Sequence, residues 1–231
     1  MPRYDDAPQP CPSRRGILIG ALALAALPPR LHAQSANPTG VPPNGRLVFN
    51  VSRNGSPIGT HALSFSVQGN TLTVSIEVAL KVGLGFITLY RYRHEAEERW
   101  VDGRFVSLRS KTDDNGTRLQ VDARRTPSGV VIQTGTGPEA LAPVVARPFT
   151  HWAAGDARTK LFNPQNGQLI AQPLVPTGPG TVALANGQSI TATGFSLAGR
   201  EPLRDWYDAA TVWAALDGRG KDGSSITYRR W

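Results

Sequence analysis

From Arg46 onward, apolar and polar residues alternate along the chain with a period of two. His61, Leu63, Phe65 and Val67 fall on one side of an extended chain, with Thr60, Ala62, Ser64 and Ser66 on the other. Leu72, Val74, Ile76, Val78, Leu80 and Val82 repeat the pattern. Such alternation predicts strands with one buried and one wetted face, as in an antiparallel sheet. The runs are broken at Asn54-Gly55, Gly69-Asn70, Asp102-Gly103, Asn115-Gly116, Asn166-Gly167 and Asn186-Gly187. Asn, Asp and Gly tolerate the positive φ of tight turns, so each break predicts a hairpin. The early strands run nearer about ten residues than the usual five or six, which favours strong curvature. Over 138–160 the rhythm fails, and 150–160 is expected to hold a short helix covering the open side of the sheet. Shorter strands are expected at 168–175, 181–184, 189–196, 211–216 and 224–230. The predicted fold class is all-β: a single curved antiparallel sheet, open barrel or sandwich, with at most one or two short helices, in one domain over 46–231.

The N-terminus reads differently. Ser13-Arg14-Arg15-Gly16 precedes an 11-residue apolar run over 17–27, followed by Pro28-Pro29-Arg30-Leu31-His32-Ala33. A basic pair, a short apolar run and a Pro-rich exit make an export signal, and the run is shorter than the roughly 20 residues that span a bilayer. It resembles the twin-arginine translocation signal, with Ile17 where that pattern has Phe. The expectation is a cleaved signal at 1–33, cut after Ala33 or alternatively Ser35, no transmembrane anchor after cleavage, and a periplasmic domain. Residues 34–45, rich in Ser, Asn, Pro, Thr and Gly, are expected to form a flexible leader.

Composition adds exclusions. With 40% hydrophobic and 18% charged residues the chain is neither disordered nor collagen-like. Its only cysteine, Cys11, lies in the signal, so thiol catalysis, thiolate metal sites and disulfides are excluded from the exported domain. The net charge of +8 becomes +6 without 1–33. No nucleic-acid recognition motif accompanies this charge. Counting back by twos from Trp231 gives Arg229, Thr227 and Ser225, which is no lipid-facing stripe for a membrane barrel.

Candidate chemistry concentrates in 86–100. Read as a strand, Tyr90, Tyr92, His94, Ala96, Glu98 and Trp100 share one face and Arg91, Arg93, Glu95, Glu97 and Arg99 the other. The charged face is expected to be a solvated ladder of cross-strand ion pairs. Inward Tyr, His and Glu either satisfy one another in the core or line a cavity. His94 and Glu98 would stand about 13 Å apart on a strand, too far to share a metal. Gly-x-Ser-x-Gly is absent, and Gly135-Thr136-Gly137 and Gly178-Pro179-Gly180 lack the residues of a phosphate loop. No catalytic residue, metal or cofactor is assigned.

Asn54-Gly55-Ser56-Pro57-Ile58-Gly59-Thr60-His61, the stretch from His94 through Glu98-Arg99-Trp100-Val101-Asp102-Gly103-Arg104, and Trp206-Tyr207-Asp208 resemble a family of uncharacterised exported bacterial β proteins, a domain of unknown function, over about 46–231. The architecture is also similar to that of the periplasmic lipoprotein-localisation carriers. The expected function is a soluble, non-enzymatic periplasmic β-domain whose concave aromatic face, with Tyr90, Tyr92, His94, Trp100 and Trp152, binds an apolar or amphiphilic, lipid-like ligand. One alternative is an interaction scaffold of the cell envelope, contacting a protein partner through Trp206, Tyr207 and Asp208. A second is a hydrolase or isomerase using His94 or His151 with Asp208 or Glu98.

Overall fold

A computed structural model describes residues 39–84, 87–135, 137–154, 159–199 and 201–231, and the expected signal at 1–33 lies outside them. Thirteen strands form one antiparallel sheet. The chain enters mid-sheet at β1 (Arg46–Arg53) and meanders through β2 (Ser56–Gln68), β3 (Thr71–Leu84), β4 (Ile87–Val101), β5 (Arg104–Asp114), β6 (Thr117–Thr126), β7 (Gly129–Thr134) and β8 (Ala140–Ala142). A connection carrying β9 (Arg147–Pro148) and β10 (Leu161–Phe162), paired in parallel, leads to the far edge. From there β11 (Leu174–Ala183), β12 (Ser189–Leu197), β13 (Leu203–Tyr207), β14 (Trp213–Arg219) and β15 (Ser225–Arg230) return, and β15 pairs with β1. Every neighbour in the sheet is therefore a neighbour in sequence except at β15–β1, and the sheet stays open between β8 and β11.

The turn chemistry explains the register. Asn54 and Gly55 both adopt positive φ, as do Asp102-Gly103 and Asn115-Gly116, which is the geometry a two-residue hairpin needs to match strand twist. Alternation then selects the buried face: in β4 every second residue from Tyr92 to Trp100 is buried and the intervening residues are exposed. The outer face of β4 sets Arg93 opposite Asp113, Glu95 opposite Lys111 and Glu97 opposite Arg109. The charges are complementary in register, but no ion pair closes among them, so the expected ladder is a pattern rather than a set of bonds.

One core cluster unites Leu47, Phe49, Val74, Ile76, Trp100, Phe105, Val121 and Ile132 from one wing with Tyr207, Trp213 and Leu216 from the other. Strands so far apart in the sheet share a core only if the sheet curls, and the connection fills the concavity. Trp152 packs against Trp100 (ring centroids 5.2 Å) and Phe65 (5.5 Å), and Phe162 against Phe105 (5.9 Å). Ser110 Oγ donates to the Pro164 carbonyl (2.5 Å), tying β5 to the same segment.

Three expectations are corrected. No helix occurs among the described residues; at 150–154 the chain turns instead, because His151 takes φ +68°, outside any helix. The stretch assigned to a flexible leader is packed down from Gly40: Val41 is buried in the main core, and a Cβ on Gly40 would sit 2.7 Å from the Trp152 carbonyl oxygen. Of the strand expected at 168–175 only Leu174 and Val175 are in a strand, and they are continuous with most of the one expected at 181–184 in β11, which runs through Pro176 and Pro179. Proline is tolerated there because β11 is an edge strand with one side free of hydrogen-bonding demand.

Candidate functional site

Inward-facing polar residues gather in three places. In the first, Glu98 is fully buried and its Oε2 accepts the indole N–H of Trp100 (2.7 Å) and of Trp152 (3.1 Å). Glu98 Oε1 and the Thr150 hydroxyl are buried without a hydrogen bond of ordinary geometry. Burial pushes this carboxyl above its usual value, against the pull of Thr150, the two indoles and Arg147. Trp100 and Trp152, expected to face a ligand, instead clamp a buried carboxylate in the core.

The second lies further along β4. Tyr90 Oη donates to Asp114 (2.7 Å), Tyr92 stacks at 6.5 Å on His94, and His94 Nδ1 pairs with Thr112 Oγ1 (2.8 Å). Burial drives His94 down to about 4 and raises both tyrosines. Tyr92 and His94 are buried and Tyr90 half-buried, so this row is part of the core. His94 meets no carboxylate.

The third was not legible in the sequence. Trp152 N donates to the Thr150 carbonyl (2.8 Å) across His151 at φ +68°, the strained three-residue γ-turn. Tyr207 Oη, donating to the His151 carbonyl (2.6 Å), holds the turn. The turn sends Trp152 to Glu98 and His151 to Asp205. His151 Nδ1 donates to both carboxylate oxygens of Asp205 (2.9 and 3.1 Å), which fixes the orientation of the ring. Asp205, wholly buried, also accepts Trp213 Nε1 (3.0 Å), and the His151 ring lies stacked on that indole at 5.1 Å. His61 adjoins Trp213 (5.3 Å) and Tyr228 (5.7 Å), with its Nε2 buried and unbonded. Burial, then repulsion from His151 and His94, holds His61 well below its usual range, and burial with the Asp205 charge lifts Tyr228 to about 12. The His151 side chain is 20% exposed, so the pair reaches solvent. The expected partners of His151 are engaged elsewhere: Asp208 binds Arg230 Nη2 (2.8 Å), and Glu98 binds the tryptophans.

The expected partner patch is also inside. Trp206 and Tyr207 are buried on opposite faces of β13, Tyr207 in the main core and Trp206 in a smaller cluster with Val182, Ala192 and Ala215. Gly180 and Gly194 make room for that indole, since a Cβ on either would come within 3.0 Å of it. Trp206 Nε1 donates to Asp217 (2.8 Å), and the Arg204 guanidinium lies 5.3 Å from its ring centroid.

Open volume lies beside that cluster. A groove of about 620 Å3 is lined by Pro173, Val175, Leu197, Pro202 and Leu203, with Arg204, Asp217 and Arg219 among its polar residues. Asp217 is neutralised by Arg229 Nη2 (2.5 Å), so the two other arginines leave the groove positive. Val175 is half exposed. The volume lies within the range of small-molecule sites. Among the described residues no cluster of His, Cys, Asp or Glu is arranged to hold a metal ion, and no helix is long and apolar enough to cross a membrane.

An open, curled antiparallel sheet packed around its own connection, with buried aromatic clusters and a lateral groove, defines a β-barrel-like class compatible with ligand binding. Over residues 49–231 the chain matches the model of a domain of unknown function, DUF6134, and it belongs to that family. In fold it is similar to the crystal structure of a β-barrel-like protein of domain of unknown function DUF1849 from Brucella abortus, with a TM-score of 0.57 at 10% identity, covering 80% of this chain and 94% of that one. No curated protein matches the sequence.

Proposed function

We propose that this domain is a non-enzymatic binder of an amphiphilic small molecule in the periplasm, and that the lateral groove holds the ligand. The observation that carries the reading is an apolar floor of Pro173, Val175, Leu197 and Leu203 beside two arginines. Such a surface suits a ligand with a greasy body and an anionic head, because the floor gains by losing water and the guanidinium groups offer charge-assisted hydrogen bonds. The aromatic row of β4 belongs to the main core, with the Tyr90 hydroxyl and His94 Nδ1 already engaged. The periplasmic address rests on the twin-arginine-like N-terminus. The test is titration with a fluorescent long-chain fatty acid. Val175→Trp, which fills the groove, and Arg219→Glu, which reverses its charge, should each weaken binding about tenfold or more; unchanged affinity in both would refute this site.

A second reading is favoured by the His151–Asp205 pair, a carboxylate-oriented imidazole that reaches solvent from a strained turn. That arrangement suits a general base activating water.

A further inference from the structure

The β3–β4 hairpin outgrows the sheet. Pairing of β2 with β3 ends at Gly59–Leu80, and pairing of β4 with β5 ends at Tyr92–Asp114. Beyond those rungs Arg91 is still held by the β5–β6 turn, its carbonyl accepting Asn115 N–H (2.8 Å), while Val82–Tyr90, Gly83–Thr88 and Leu84–Ile87 are paired in the sheet only with each other. The two-stranded finger therefore extends about 10 Å beyond its last backbone tie to a neighbour, at about 3.3 Å per residue. Its sequence from Lys81 to Arg91 is Lys-Val-Gly-Leu-Gly-Phe-Ile-Thr-Leu-Tyr-Arg, apolar or glycine throughout except for Thr88, Tyr90 and one cation at each root. Ile87 is 65% exposed and Leu89 60%, among the most exposed large apolar side chains of the described residues.

Two features of this finger are unfavourable for a protein that meets only water. Large aliphatic side chains sit at the free end of an isolated two-stranded ribbon, itself only marginally stable. At the root, Lys81 and Arg91 face each other directly across the ladder, where like charges repel, and Arg93 follows two residues on. All three cations are exposed, and among the described residues none closes an ion pair. Of the two carboxylates on the neighbouring strand, Asp114 accepts Tyr90 Oη, and Asp113, opposite Arg93, accepts the Gly116 N–H (2.7 Å).

We propose that the β3–β4 finger docks this protein on a bilayer of anionic phospholipid, with Ile87 and Leu89 entering the acyl boundary and Lys81, Arg91 and Arg93 meeting the phosphates. Spacing agrees with this. Leu89 and Arg91 are two residues, about 7 Å, apart, and the headgroup layer on each side of a bilayer is about 5–8 Å deep. The charge complementarity requires an anionic surface, and the apolar tip requires one it can penetrate, which selects a lipid bilayer over a soluble anion. The inference goes beyond the groove and does not depend on it.

The test uses the chain purified in the form its host makes, floated with vesicles of 70% phosphatidylcholine and 30% phosphatidylglycerol, or of phosphatidylcholine alone. The wild type is expected to bind the anionic vesicles, and less so at high salt. Ile87→Ser with Leu89→Ser should lower that affinity at least tenfold, as should Lys81→Glu with Arg91→Glu, since each cation near such a surface is worth about a fivefold factor. Arg104→Glu, at the start of β5 opposite Val101 and some 45 Å from the tip along β4, reverses the same kind of charge and should leave binding unchanged. Unchanged melting temperatures in the finger variants establish that the fold is intact. Equal binding to both vesicles, or finger variants that bind like the wild type, overturns the proposal. So does a wild-type dimer by light scattering that the Ile87 and Leu89 changes dissociate, because the tip's occupant is then a second copy of this chain.

Discussion

Acid should loosen this fold through its buried histidines, and His94 allows the size of the effect to be worked out. Its ring is 4% exposed, its Nδ1 is committed to Thr112, and burial holds it at about 4 against an ordinary 6.5. Because the folded value is the lower one, the unfolded chain takes up a proton first as pH falls. Stability from the neutral ring is complete above pH 6.5, declines below it and is gone below pH 4. The difference of about 2.5 pH units sets a limit of about 3 kcal/mol, of which about 2 kcal/mol is lost by pH 5. That is a large share of the 5–15 kcal/mol typical of a domain, and about 4–8 °C in melting temperature. His61, held low for the same reason, adds in the same direction. Glu98 acts oppositely: its folded value is raised, so its burial penalty is relieved as pH falls. The comparison that isolates His94 is therefore urea unfolding at pH 7.5 and pH 5.0 for wild type and His94→Gln, which keeps a polar contact to Thr112 and cannot titrate. The variant should lose about 2 kcal/mol less than wild type between the two pH values. Equal losses would refute the reasoning, whatever the variant's absolute stability.

Trp152→Phe keeps most of the packing against Trp100 and Phe65 but removes one of the two indole donors to Glu98 Oε2. It should cost about 1–3 kcal/mol in urea unfolding, and a neutral result would mean that the clamp does not hold the connection in the concavity. For the acid–base reading, turnover of p-nitrophenyl butyrate should be lost in His151→Asn and retained in Val175→Trp; no turnover by the wild type would remove that reading.

The period-two pattern and the Gly-containing pairs made the β1–β2, β2–β3, β4–β5 and β5–β6 hairpins legible because both signals are local; the β6–β7 turn, at Pro127-Ser128, carries no such pair and was not expected. Each turn needs positive φ at its own residues, and each strand declares its buried face by its own alternation. β11 was hidden because Pro176 and Pro179 speak against a strand unless the strand is known to be an edge, and edges are set by the whole sheet. The site was obscured for a related reason. His151 and Asp205 are 54 positions apart and meet only because the connection folds back into the concave face. Asp208, the last residue of the candidate patch and just beyond the end of β13, was the more conspicuous carboxylate, yet strand parity aims Asp205 inward and Arg230 occupies Asp208. Trp206 read as a surface anchor because nothing local reveals that Gly180 and Gly194, on two other strands, clear a place for its ring.

Native mass spectrometry of the protein taken from its own host, followed by extraction and identification of what it carries, tests the central claim most directly. The account predicts one amphiphilic molecule per chain in the wild type, absent from Val175→Trp. A wild type with no adduct that also fails to take up the fluorescent fatty acid, or an adduct retained in full by Val175→Trp, would contradict it.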